Sequence, residues 1–105
     1  MEPYLVEKGV LRVRTTMLTQ DDLRFDEACR KLLDSSANRL VVDLSAVRVI
    51  TSTFIGVLAV TYVDAKKARK DFVIRAPAKV IEVFRLAGFG DGTAILEEVP
   101  YSSIQ

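Results

Sequence analysis

The hydrophobic and polar positions change period several times along this chain. Tyr4 to Glu7 and Val10 to Arg14 are β-prone runs on either side of Lys8 and Gly9, and they predict a hairpin. Beyond Leu11 apolar and polar residues roughly alternate, as on a strand with one face in solvent. The period then lengthens: Phe25, Ala28, Cys29 and Leu32 fall at i, i+3, i+4 and i+7, one helical stripe. Thr19 with Asp22 three residues later reads as the start of that helix, a hydroxyl cap followed by an acid. Asp34 to Asn38 is a polar loop. Arg39 to Leu44 is apolar on both faces, as a central parallel strand is. From about Ser52 to Arg69 the pattern is helical again, with Ile55, Leu58, Tyr62 and Ala65 as the tightest stripe. Phe54 lies at its edge, and Val57 and Val60 point further round. A helix apolar beyond one face is either deeply buried or offers a contact surface. Asp71 to Arg75 predicts another strand. Pro77 suits the first turn of a helix running to about Ala87, with Val80, Ile81, Phe84 and Ala87 as its stripe and Gly88 as its stop. Ala94 to Val99 is a short last strand, and Tyr101 to Gln105 a frayed tail.

This order, a hairpin followed by α-β-α-β-α-β, is an α/β pattern. It implies a small mixed sheet, the hairpin plus parallel strands joined by right-handed crossovers, with about three to four helices. Most helices are expected on one face. The other face is expected to be partly exposed, or covered by the hairpin and the N-terminal segment. No repeat, linker or low-complexity segment divides the chain, so residues 1–105 are read as one domain.

Composition narrows the function more than the fold. The formal charge is +1, so no basic field makes nucleic acid the default partner. There is no His and a single Cys, which excludes a Cys/His zinc site, a His-based triad and a His general base. Cys29, inside a helical stripe, reads as a core residue, and a lone Cys fits a reducing compartment. The N-terminal residues lack a basic region followed by an apolar core, so no secretory signal is read there. The apolar stretch from Phe54 to Val63 is too short to span a bilayer. A cytoplasmic protein without direct membrane insertion is the simplest expectation. No cofactor is expected, and no Gly-rich phosphate loop points to a nucleotide. Lys66, Lys67, Arg69 and Lys70 complement a helix C-terminus and read as a solvated end.

The candidate chemistry sits at Thr51, Ser52 and Thr53. A strand ending in Asp43, Leu44 and Ser45 is followed by a short connection, and these three hydroxyls then open the next helix. A helix N-terminus has free N–H groups and partial positive charge, so it accepts a hydroxyl cap or a negative group. Either role, cap or phosphate acceptor, is open to Ser52 on pattern alone. Asp43 reads as strand-end turn chemistry, and Asp21 and Asp22 as first-turn helix acids.

The run from Asp43 through Ser45 to Thr51-Ser52-Thr53-Phe54-Ile55-Gly56-Val57-Leu58 resembles the STAS domain family, which includes the bacterial anti-sigma factor antagonists. Lys79 to Phe89 is similar to that family's third major helix and its Gly-Phe ending. The resemblance implies a small sheet flanked by helices, no catalytic activity, and function by protein binding in transcription regulation. Its partner would be an anti-sigma factor that is also a serine kinase. The phosphorylated residue would fall on Ser52, with Thr51, Thr53, Phe54 and Val57 as the partner-binding surface. Three positions depart from the family pattern. Thr51 replaces an acid, Phe54 replaces a glycine, and Thr16 to Thr19 replace a Gly-Glu-Leu-Asp element. The Thr51 and Phe54 departures favour the alternative, a constitutive interaction subunit of a lipid-transport complex or a signalling scaffold that is not phosphorylated.

Overall fold

A computed structural model describes residues 2–90 and 92–102. The hairpin forms from β1 (Tyr4–Glu7) and β2 (Val10–Val13), with Tyr4 opposite Val13 and Glu7 opposite Val10. Lys8 and Gly9 both have positive φ, 50° and 79°, as a two-residue turn matched to strand twist requires. Gly9 is constrained a second time. A Cβ there would lie 2.7 Å from that of Ala37, because the turn presses against the loop before the third core strand.

Next come β3 (Met17–Leu18), α1 (Leu23–Leu33), β4 (Arg39–Asp43) and β5 (Val49–Ile50). They are followed by α2 (Ser52–Lys67), β6 (Asp71–Ala76), α3 (Ala78–Leu86) and β7 (Ile95–Glu98). The main sheet runs β1-β2-β4-β6-β7, antiparallel only at the hairpin and parallel elsewhere. β3 and β5 form a separate parallel pair. This is an α/β fold with a mixed sheet and three helices among the described residues.

The two faces of the sheet differ. Leu11, Val42 and Ile74 share one register row, and with Leu40 and Phe72 they join a single apolar cluster with the buried residues of all three helices. On the other face Arg12, Asp43, Arg75 and Glu97 lie in one row across four strands. There Arg12 faces Asp43 at 3.7 Å and Arg75 donates to Glu97 at 2.8 Å. The hairpin therefore widens the sheet at its edge and does not cover the back face.

Several sequence expectations shift. The cap of α1 is Asp22, not Thr19. α2 stops at Lys67, and Arg69 takes a left-handed φ of 59° beyond it. Lys70 is not part of a solvated end. Its ammonium donates to the carbonyls of Ser35 and Ala37 and ties the end of α2 to the loop before β4. Tyr101 is not frayed: Arg48 lies 4.1 Å over its ring, and Ser102 N–H donates to the Ser45 carbonyl at 2.9 Å. The rest of the expected tail, 103–105, lies outside the described residues.

Candidate functional site

The site is the start of α2, positioned by the small β3–β5 pair. Leu18 lies opposite Ile50, and the Leu18 carbonyl accepts from Thr51 N–H at 3.0 Å. That bond fixes the chain one residue before the helix. Thr51 is the N-cap, with extended φ and ψ of −93° and 165°, yet its side chain makes no cap hydrogen bond. Its Oγ1 is buried with no partner. The Thr51 carbonyl accepts from Ile55 N–H at 3.2 Å, so the helix proper begins at Ser52. The first-turn N–H groups have no acceptor within a helix, and no acidic residue stands in this first turn. Ser52 and Thr53 are both exposed. A hydroxyl therefore projects to solvent at a helix end whose dipole favours negative charge.

The five residues named from the sequence do not all meet there. Ser52 and Thr53 share the exposed first turn, and Thr51 lies beneath them as the cap. Val57 is half-buried, one turn further on. Phe54 is corrected from contact surface to core. It is 3% exposed, and its ring meets that of Phe25 edge-on at 5.1 Å. Phe25 in turn meets Tyr4 at 5.3 Å, so three aromatic rings join β1, α1 and α2. The buried stripe of α2 is Phe54, Leu58, Thr61 and Ala65, rotated from the expected stripe, and Ile55 and Tyr62 are only half-buried.

The neighbouring helix start is built differently. Asp22 caps α1 by accepting from Arg24 N–H at 3.0 Å. The Arg24 guanidinium donates to both its oxygens, at 3.0 and 2.9 Å, and Tyr4 donates its hydroxyl at 3.1 Å. The Arg24 side chain is the main reason the Asp22 carboxyl sits below its usual range. Burial, then the bond to Asp22, pushes the Tyr4 phenol up to about 12. Cys29 is buried between α1 and α2, and burial pushes its thiol up to about 11, so it stays protonated and unreactive near neutral pH. Asp43 does the turn chemistry expected of it, accepting from Ser45 N–H at 2.9 Å. Among the described residues no cluster of three or more His, Cys, Asp or Glu could hold a metal ion. No helix among them is long and apolar enough to cross a membrane.

A family model described as Mlab, STAS domain matches residues 5–98. The chain belongs to the STAS domain family. A search of curated proteins returns no match. The match spans the sheet, the three helices and the start of α2 in this STAS domain. The sequence reasoning missed the groove between α1 and α2. Its exposed residues, Leu23 at 77% and Val60 at 63%, sit beside Val57 and the acids of both helices. Only the position of Val60 off the expected stripe hinted at it.

Proposed function

We propose that this STAS domain is a cytoplasmic regulator of the anti-sigma factor antagonist type. It acts by protein binding rather than catalysis and is controlled by phosphorylation of Ser52. One observation carries the reading: an exposed serine opens α2, in a first turn that has neither an acid nor a side-chain cap bond. A phosphate there adds about −1.5 to −2 charges at neutral pH. The helix dipole tolerates that charge in the free domain. In a docked interface the same charge must be desolvated, so one modification leaves the fold intact and opposes binding. The partner of this reading is an anti-sigma factor that is also a serine kinase.

The test is a titration of parent, Ser52→Ala and Ser52→Glu against that kinase, with mass measurement after incubation with ATP. Ser52→Ala binds like the parent and gains no phosphate, while Ser52→Glu loses about tenfold or more in affinity. Equal binding by Ser52→Glu, with no phosphate gained by the parent, leaves the second reading. In that reading the domain is a constitutive interaction subunit of a lipid-transport complex or scaffold. Thr51, where the antagonists carry an acid, favours it, as does the large Phe54 that replaces a glycine and is buried.

A further inference from the structure

The α2 start is continuous with a groove between α1 and α2. Two pockets, of about 190 and 340 Å³, share Asp26 and Val57 and so form one trough along the helix pair. Leu23, at the first position of α1, and Val60, on α2, are the most exposed apolar residues lining it. Its charge is one-sided. Asp21, Asp22, Asp26 and Asp64 line it against one cation, Arg30. Asp22 is taken up by Arg24, but Asp21, Asp26 and Asp64 take part in no ion pair among the described residues. The chain as a whole carries a net charge of +1, so this is a local concentration and not a consequence of composition.

We infer that this groove docks a cationic amphipathic helix of the protein partner, with its apolar stripe on Leu23, Val57 and Val60 and its Lys or Arg residues beside Asp26 and Asp64. The inference rests on the protein-binding reading above and names the chemistry of the partner's contact segment. The occupant is a helix because the walls are helix sides, whose backbone groups are already paired. A strand laid there would find no ladder and leave its own N–H and C=O groups unmet, whereas a helix satisfies them internally. α1 has 11 residues, about 16 Å at 1.5 Å per residue, so the trough accommodates about three turns. The acids stand on both walls, Asp26 on α1 and Asp64 on α2, so cations flanking an apolar stripe on both sides meet an opposite charge.

The probes are three labelled peptides of about 18 residues, long enough for a helix to span the groove. One carries Leu at i, i+3, i+4 and i+7 with Lys elsewhere. The second has Glu for Lys. The third has the first peptide's composition with its apolar stripe scrambled. Fluorescence anisotropy against the intact chain gives affinities at low and moderate salt. The amphipathic Lys peptide binds about tenfold tighter than either control, more so at low salt. Asp26→Lys with Asp64→Lys removes that preference and reverses it toward the Glu peptide. Val60→Gln weakens binding without changing the charge preference. Circular dichroism confirms folding, and the milder pair Asp26→Asn and Asp64→Asn replaces the reversal if the latter unfolds. Equal affinity for all three peptides, or a preference untouched by either charge pair, overturns the inference. The peptides carry no kinase, so that failure leaves the Ser52 reading standing. Peptide selectivity together with native-partner binding indifferent to Ser52→Glu overturns the switch and leaves the groove.

Discussion

The two helix starts that lie side by side in this domain are built to opposite ends. At α1 the cap side chain is in use: Asp22 accepts from Arg24 N–H, the Arg24 side chain and the Tyr4 hydroxyl. At α2 the cap residue Thr51 makes no side-chain bond, its hydroxyl is buried without a partner, and Ser52 and Thr53 face solvent. The first terminus already holds its negative group, and an incoming anion would meet Asp22. The second has the same dipole and no acid in its own first turn. α3 also starts without a side-chain cap bond or a first-turn acid, at Pro77, so what sets the α2 start apart is its exposed pair of hydroxyls, Ser52 and Thr53.

The sharpest break of this comparison is at Phe54, two residues from Ser52 and yet in the core. Phe54→Ala removes a buried ring from contact with Phe25 and costs about 3–5 kcal/mol, read from a urea unfolding curve. A stable Phe54→Ala chain that has only lost partner binding would return Phe54 to the surface role expected from its sequence phase.

Next in size is the closed start. Asp22→Ala costs about 0.5–2 kcal/mol, the range for a lost cap. Its carboxyl lies below the ordinary value in the folded chain, chiefly because of Arg24. The stabilisation is therefore full above the unfolded value of about 3.9 and is lost as pH falls through the lower folded value. Asp22→Asn keeps the capping oxygen and loses the titration. The gap between parent and Asp22→Asn is steady near neutral pH and narrows in acid. A gap that widens in acid contradicts the assignment.

At the open start the effects are smaller. Thr51→Val keeps the shape and removes a buried hydroxyl that has no partner, so stability stays within about 1 kcal/mol of the parent or rises. A loss well beyond that in a thermal melt would show that the Thr51 hydroxyl caps α2 after all, and the two helix starts would no longer differ.

The contrast between them was only partly legible in the sequence. The hairpin could be read because Lys8-Gly9 is local turn chemistry, and the stripe of α1 because its other faces are polar. Phe25, Ala28, Cys29 and Leu32 are the buried residues of α1, as the spacing predicts. α2 is apolar on most of its circumference, so periodicity could not choose the buried face. The ring of Phe25, a tertiary partner, makes that choice. The cap of α1 was misplaced at Thr19 for a related reason. Both Thr19 and Asp22 are good caps, and Asp22 prevails through Arg24 and through Tyr4, which lies distant in sequence. β3 and β5 have two residues each, too few to show a period. The placement of Ser52 at the helix start came from the hydroxyl cluster together with the family resemblance.

The claim that α2 begins with an open, anion-tolerant turn is tested most directly by the unfolding of Ser52→Asp at low salt. Asp at this position meets the free N–H groups and the dipole, so the variant is as stable as the parent or more stable by about 0.3–1 kcal/mol, a gain that shrinks as salt is added. A Ser52→Asp chain less stable than Ser52→Ala, whatever the salt, would mean that the start of α2 does not accept negative charge, and the account of Ser52 as a control point would fail with it.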